Sequence, residues 1–549
     1  MKTLTGLDAT FLYLETPEMP MHVGSFNLCE LPAGHRGSFH KAVTKHMALR
    51  IHLAPVLSRK LVFMPLDLGH PLWVEADSVD ISFHVRRVGQ PQANTAPRGG
   101  SAKKGQPPMT LAAAHKRCAQ LHSELIDRNF PLWEFHIFDR IQLPASMGGK
   151  IVGGFFSKIH HAALDGKGGV MLANAMLDFT PVPREVAPPD PARRRKFERD
   201  LKLGKMIGSV FSSSLGQLAK AARLLPSMAS TLGNTISSAL STEVIGKAAG
   251  SKSRLPVRLA PLTPFNTGIE AGRVFVTATV PLTECKTMGK AVGGSLNDVV
   301  LWICSTALRD YLTRHASLPK KSLVAAMPVS LRDAGASDAT NLGNQVSMSL
   351  VELGTQLAHP LKRMNAIMAS TAKVKSSMSS LKGFLPTDYP SLLAPWLVGG
   401  AARLALSAVG KSNLINRLPM LANLAISNVP GPPVPLYLAG ARFLTFHPLS
   451  ILVHGLALNI TIQTYDGHVD FGIVADKKAL PHANDLAKAI ATAFRHAQTV
   501  FASPADAVGL NGETPSARVS KVTKPARLES SPSARWQSGI DTVPVAHNE

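Results

Sequence analysis

The stretch "KIHHAALDG" (158–166) sets two imidazoles, a carboxylate and a glycine within seven positions, from His160 to Gly166. Three chemistries fit such a string. An imidazole with an ordinary pKa of about 6.5 takes and returns a proton near neutrality, so either His160 or His161 suits general-base work. His161 and Asp165 stand four apart and would converge on a metal ion if the segment were helical. No H-x-x-x-H or C-x-x-C lies nearby to add a third ligand, and the surrounding glycines oppose a helix, so no metal site is expected. The third reading is an ordinary polar turn built on Asp165-Gly166. The residues by themselves leave the turn and the base open.

The elements around the string decide which side chain points where. Upstream, "KIVGGFFSKI" (150–159) is apolar and broken by glycines, which predicts a buried strand approached closely by another backbone. Downstream, "GGVMLANAMLDF" has Val170, Ala173 and Leu177 at helical spacing. The histidines therefore stand where a strand ends and a helix is about to begin. Neighbouring side chains of an extended chain point to opposite sides, so one histidine faces a cavity and the other is packed or hydrogen-bonded behind it. Far along the chain, "SLNDVVLWICSTALRDYL" gives Ser295 and Asp298 the spacing of a capping box. Leu296, Val299, Ile303, Ala307 and Tyr311 mark one face of the helix that follows.

The same patterns organise the rest of the chain. "MHVGSFNLCEL" reads as a strand, "FHKAVTKHMALRI" as a helix and "PLWEFHIFDRI" as a strand, within an N-terminal α/β domain over residues 1–180. A loop rich in Gly, Pro and Lys interrupts it at 89–108. Residues 181–260 turn Pro-rich, then basic, with apolar residues at helical spacing between lysines and arginines; this reads as a connector carrying amphipathic helices. A second α/β domain spans 261–502. In it "GRVFVTATVPL" alternates as a strand, and Asp466-Gly467 joins two further strands as a hairpin. Residues 503–549, rich in Pro, Ser and scattered charge, read as a disordered tail.

With 549 residues, 45% hydrophobic and 17% charged, the chain has material for more than one large core. Its net charge of +23 calls for an anionic partner. Aromatics at 6% and the lack of any recognised module argue against nucleic acid and leave phospholipid headgroups or a phosphorylated small molecule. Cys29, Cys118, Cys285 and Cys304 are scattered, which excludes a disulfide framework or structural zinc and fits a reducing compartment. No secretory signal opens the chain, and no uninterrupted apolar run reaches about 18 residues, so a cytoplasmic protein able to touch a membrane is expected.

"HHAALDG" (160–166) resembles the HHxxxDG motif of the bacterial wax ester synthase / acyl-CoA:diacylglycerol acyltransferase family. That motif is shared with the wider CoA-dependent acyltransferases and with the condensation domains of peptide synthetases. Further blocks narrow the likeness. These are the opening "LTGLDATFLYLETPEMPMHVGSF", the PLW element at Pro131-Leu132-Trp133 and the ND element at Asn297-Asp298. "AMPVSLR", "NLGNQVS" and "AISNVPGPPVPLYLAGARF" follow in the usual order. The resemblance covers roughly residues 1–500, with the 89–108 loop and the tail as extras.

The resemblance implies an α/β (α+β) fold of two chloramphenicol-acetyltransferase-like domains with a tunnel at their interface. It implies an O-acyltransferase that moves a fatty acyl group from acyl-CoA to a long-chain alcohol or a diacylglycerol. His161 would be the general base, attacking through the alkoxide without an acyl-enzyme, and His160 its support. Asp165 would orient the loop by pairing with Arg332, and Gly166 would permit the sharp turn. Asn297, at a helix N-terminus that already favours negative charge, is the oxyanion candidate, while Asp298 is structural through its cap. Trp133, Asn344 and Asn428, in the PLW, "NLGNQVS" and "NVPGPP" blocks, are assigned to the substrate-binding wall, although the indole of Trp133 is also suited to plain packing. Acyl-CoA enters as a substrate and no cofactor is needed.

Water-insoluble acceptors imply peripheral contact with an anionic membrane surface or lipid droplet. The connector's Arg193, Arg194, Arg195, Lys196, Lys202, Lys205, Lys220 and Arg223 suit that contact, or else a helix packed between the two halves. Two other readings stand beside this one. A condensation-type acyltransferase acting on other hydroxyl or amine acceptors sits poorly with the PLW and NVPGP blocks. A non-catalytic lipid-coating protein leaves the intact motif without a purpose.

Overall fold

The computed structural model describes residues 2–63, 70–76, 78–89, 107–164, 168–188, 260–330, 346–381 and 420–501. Most of the 89–108 loop, most of the 181–260 connector and the tail lie outside them. In the first part of the chain the strands are β1 (Lys2–Thr3), β2 (His22–Glu30), β3 (Arg59–Val62), β4 (Leu72–Glu75), β5 (Val85–Arg87), β6 (Met109–Thr110), β7 (Trp133–Gln142) and β8 (Ile151–His160). The second part adds β9 (Arg273–Pro281), β10 (Val324–Ser330), β11 (Val346–Glu352), β12 (Leu424–Val429), β13 (Tyr437–Leu438), β14 (Ala441–Phe443), β15 (His447–Leu449), β16 (Leu458–Tyr465) and β17 (His468–Asp476). The helices of two turns or more are α1 (Gly6–Leu14), α2 (Phe39–Arg50), α3 (Leu111–Ser123), α4 (Gly168–Met176), α5 (Leu282–Ala291), α6 (Leu296–His315), α7 (Pro360–Leu381) and α8 (Ala483–Phe501).

Two large sheets result. One runs β13-β14-β2-β8-β7-β5, with β15 also on β2 and β6 on β7; the other runs β11-β10-β12-β16-β17-β9. Strand alternation sorts the first sheet's side chains onto two faces. One face carries Trp133, Phe135, Phe155 and Ile159 onto α2 through Phe39, Val43 and Met47. The other carries Phe26, Phe138 and Phe156 toward α3 and toward Phe275 and Val474 of the second sheet. Phe26 and Phe275 meet edge to face at 6.3 Å, so one apolar cluster spans both sheets.

The sheets are also tied through backbone. Residues 437–449 belong to the second half of the chain, yet Arg442 and Phe443 pair with Glu30 and Cys29, and His447 to Leu449 pair with Phe26 to Gly24. The next strand in sequence, β16, returns to the second sheet. At this crossing a Cβ on Gly472 of β17 would lie 1.7 Å from the Pro448 carbonyl oxygen, so only glycine allows the approach. At the seam Arg273 also donates to the Glu18 carbonyl, and His122 Nε2 lies 3.1 Å from the Ser450 carbonyl oxygen.

Local signals in the sequence take their expected form. Asp466 and Gly467 adopt φ of 40° and 83° and close the β16–β17 hairpin. The α6 helix is buried well beyond the one face anticipated: Val300, Leu301, Trp302, Cys304, Leu308 and Leu312 are buried as well. The reason is its setting, with its side chains in one core cluster with the second sheet, α7 and α8. All four cysteines are buried and unpaired. Among the described residues no single helix is long and apolar enough to cross a membrane; only the pair α5 and α6, bent by 100°, passes by length and composition.

Candidate active site

Strand β8 ends at His160, which stands opposite His22 of β2 in the register. The chain then bends into a single 3₁₀ turn over His161–Ala163. His160 is wholly buried and caps that turn: its Nδ1 accepts from the Ala162 N–H at 3.1 Å. An Nδ1 that accepts carries no proton, so the ring's proton sits on Nε2, 3.3 Å from Glu15 Oε1. The two histidines thus divide their duties as strand alternation requires, one behind the turn and one on it.

His161 is half-buried. Its backbone N–H donates to the Met21 carbonyl at 2.8 Å, and its ring stacks on Phe11 with centroids 3.9 Å apart and planes 19° apart. Burial lowers its pKa from the ordinary value to about 4; the neighbouring His160 imidazole adds to the effect, and its own backbone carbonyl opposes it. At neutral pH the ring is therefore unprotonated and able to accept.

Behind this turn lies a charged assembly that no local pattern announces. Glu15, next after α1, is buried; its Oε1 accepts from the Met21 N–H at 3.0 Å. Its Oε2 accepts from Arg128 Nε at 3.1 Å and Nη2 at 2.7 Å, and Arg128 Nη2 also reaches the Leu12 carbonyl at 2.9 Å. Burial alone would raise the Glu15 carboxyl. The nearby His160 ring, the Arg128 guanidinium and the Met21 N–H outweigh it and hold the pKa at about 2. Glu15 sits inside the opening block that carries the family resemblance and Arg128 stands three residues ahead of the PLW element, but nothing in their spacing marks them as partners.

The capping box on α6 is formed as the sequence implies. Asp298 Oδ2 accepts from Ser295 N–H at 2.8 Å and from Ser295 Oγ at 2.6 Å, and Oδ1 accepts from Thr371 Oγ1 at 2.7 Å. The carboxylate is committed on both oxygens, a structural role. Asn297, partly exposed in the first turn, accepts at Oδ1 from Asn428 Nδ2 at 3.2 Å. That bond turns the Asn297 amide nitrogen outward as the donating end. Two of the named blocks, ND and NVPGP, therefore meet side chain to side chain.

Trp133 takes no part in this. It is wholly buried, donates from Nε1 to the Leu57 carbonyl at 3.1 Å and stacks on His84 at 4.2 Å. Its register partner is Ile159, so it lies on the face of the sheet opposite His160. Asp165, Gly166, Arg332 and Asn344 lie outside the described residues. Among those described, His315, His482 and Asp485 bring possible metal-ligand atoms within 4.8 Å of one another. The two rings stack at 4.3 Å and 19°, which sets their lone pairs side by side rather than converging, and His315 Nε2 pairs with Asp485 at 3.1 Å. That group is a close His315–Asp485 contact with a stacked neighbour.

Residues 4–300 match the wax ester synthase/diacylglycerol acyltransferase catalytic domain, and residues 342–498 match the C-terminal domain of the same family. A Mycobacterium tuberculosis protein named as a diacylglycerol O-acyltransferase is 30% identical over 501 residues, covering 90% of this chain and 98% of that protein. The O-acyltransferase WSD of Acinetobacter baylyi is 29% identical over 490 residues, covering 88% and 94%. The solved wax ester synthase/diacylglycerol acyltransferase from Marinobacter aquaeolei superposes with a TM-score of 0.62 at 24% identity, over 92% of this chain and 100% of that one, which establishes a common fold.

Proposed function

This chain belongs to the wax ester synthase/diacylglycerol acyltransferase family and is an acyl-CoA-dependent O-acyltransferase, and on that premise we propose that His161 is its general base. The acceptor is a long-chain alcohol or the free hydroxyl of a diacylglycerol, bound with acyl-CoA in a tunnel between the two lobes. The His161 ring takes the hydroxyl proton as the oxygen attacks the thioester carbonyl. The C–O bond forms, the carbonyl electrons move onto oxygen, and the Asn297 amide donates to that oxyanion. Collapse breaks the C–S bond, and the imidazolium returns the proton to the departing CoA thiolate. Atoms and charge balance without a cofactor.

The observation that carries this reading is the placement of His161: partly exposed on the turn and fixed by Phe11 and Met21, with burial lowering its pKa so that the ring can accept. A ring with a pKa of about 4 is a modest base when the site is empty. The negative charge that develops on the attacking oxygen lies beside the forming imidazolium and offsets its desolvation as the proton moves. The test is incubation with radiolabelled acyl-CoA and each acceptor, with wax ester and triacylglycerol resolved. His161→Ala should lose about a thousandfold in kcat; a variant that keeps more than a tenth of wild-type ester formation refutes the assignment.

Collection of water-insoluble acceptors calls for contact with a lipid surface. The net charge of +23 supports this, as do exposed Val170, Met171, Phe179 and Val182 just ahead of the basic connector. Flotation with phosphatidylglycerol vesicles should recover the protein at low salt and release it at high salt. Equal recovery on phosphatidylcholine, or none on either, rejects the anionic surface.

A further inference from the structure

Among the described residues, several contacts that hold the His161 turn from behind trace to the end of one helix. Phe11 of α1 supplies the face on which the His161 ring lies. Glu15, one residue past that helix, reaches both histidines: directly through Oε1 to His160 Nε2 at 3.3 Å, and through one peptide to His161. That peptide is Met21, whose N–H is held by Glu15 at 3.0 Å while its carbonyl accepts the His161 N–H at 2.8 Å. Arg128 completes the set by occupying the second carboxylate oxygen and tying back to the helix at Leu12.

We infer that Glu15 is a positioning residue for the acyl transfer, with Arg128 as its anchor: the carboxylate fixes His160 as the Nε2–H tautomer, and His160 together with Met21 fixes the backbone from which His161 projects. Glu15 does not reach the reacting atoms. Its effect passes through two hydrogen bonds, Ala162 N–H to His160 Nδ1 and His161 N–H to Met21 O. An acceptor-only group suits this point. The Met21 N–H and the Arg128 guanidinium donate to it and His160 Nε2 lies 3.3 Å from Oε1, so a neutral amide would set N–H against N–H on one side. The inference rests on His161 being the base, and the experiment separates the two.

Glu15→Gln, Glu15→Asp, Arg128→Lys and His161→Ala are compared in the full-length protein by steady-state kinetics and by hydrogen exchange of the segment 159–164. Glu15→Gln should lower kcat about a hundredfold while KM for acyl-CoA stays within about threefold, because a misplaced base costs turnover and not CoA affinity. Exchange at the His161 and Ala162 amides should rise in the same variant. Glu15→Asp, which keeps the charge, should recover part of the lost kcat. Arg128→Lys covers the case in which Glu15→Gln does not fold; it should show a smaller fall in kcat and the same rise in exchange. Wild-type kcat and exchange in Glu15→Gln, or in Arg128→Lys if that alone folds, overturn the positioning role even when His161→Ala is silent. Full activity of His161→Ala overturns the base instead, and the exchange measurement still reports whether Glu15 holds the turn.

Discussion

The acid limb of the pH–rate profile is the sharpest consequence of the His161 environment. Reaction requires the unprotonated ring, and its burial, together with the neighbouring His160 imidazole, holds the pKa at about 4. An imidazole at the ordinary value of about 6.5 would be only about a quarter unprotonated at pH 6.0, whereas one at about 4 would be about 99% unprotonated. Lowering the pH from 7.5 to 6.0 should therefore leave kcat/KM for acyl-CoA within about a tenth of its starting value, where an unperturbed base would cost about fourfold. The quantity kcat/KM is the right one, because it reports the free enzyme whose geometry is described above. The assay follows radiolabel into ester at subsaturating acyl-CoA with fixed acceptor. Each sample is returned to pH 7.5 afterwards to establish that activity recovers. A reversible limb centred near 6.5 would refute the reasoning, for it would mean that the ring is solvated or paired with an acid outside the described residues.

Other consequences follow from neighbouring features. Burial, followed by the positive charges around them, pushes His22 well below the ordinary imidazole range and His122 to about 3. Both stay neutral when folded but take up a proton when unfolded below about pH 6.5. Their contribution is thus complete above that pH and lost as pH falls toward the folded values, and denaturant melts at pH 5.5 should show about 3 kcal/mol less stability than at pH 7.5 from this pair. Asp298→Ala should cost about 2 kcal/mol by removing the Ser295 cap and the Thr371 partner, visible as a lower midpoint in guanidinium. Asp298→Asn should keep kcat within about threefold in the folded protein, since the carboxylate is spent on the cap. Gly472→Ala should cost about 3 kcal/mol or more, because the new methyl has no room against Pro448, and unchanged melting would contradict the crossing described.

What could be read from the sequence was local. Alternation marked β9, a glycine-broken apolar run marked β8, strand-like stretches marked β2 and β7, Asp466-Gly467 marked a hairpin, and the spacing from Ser295 to Asp298 marked a cap; each involves residues within one turn or one strand. That His160 and His161 would differ in burial was legible for the same reason, because neighbouring side chains of an extended chain part at the strand's end. The return of residues 437–449 to the first sheet was not legible, since pairing over such separation leaves no periodic trace. Glu15 and Arg128 are 113 positions apart, and their meeting depends on where α1 and the segment ahead of β7 pack. The depth of α6 was understated because its pattern discloses one apolar face, while neighbours on its other sides also bury it.

The weave at β15 bears on how substrates come and go. A protein whose halves touch only through side chains can swing apart like a clam. Here that motion would have to unzip the strand of residues 447–449 from β2 or drag Pro448 off Gly472. In the reaction proposed above, acyl chains would then enter endwise and esters leave the same way, without the two lobes parting.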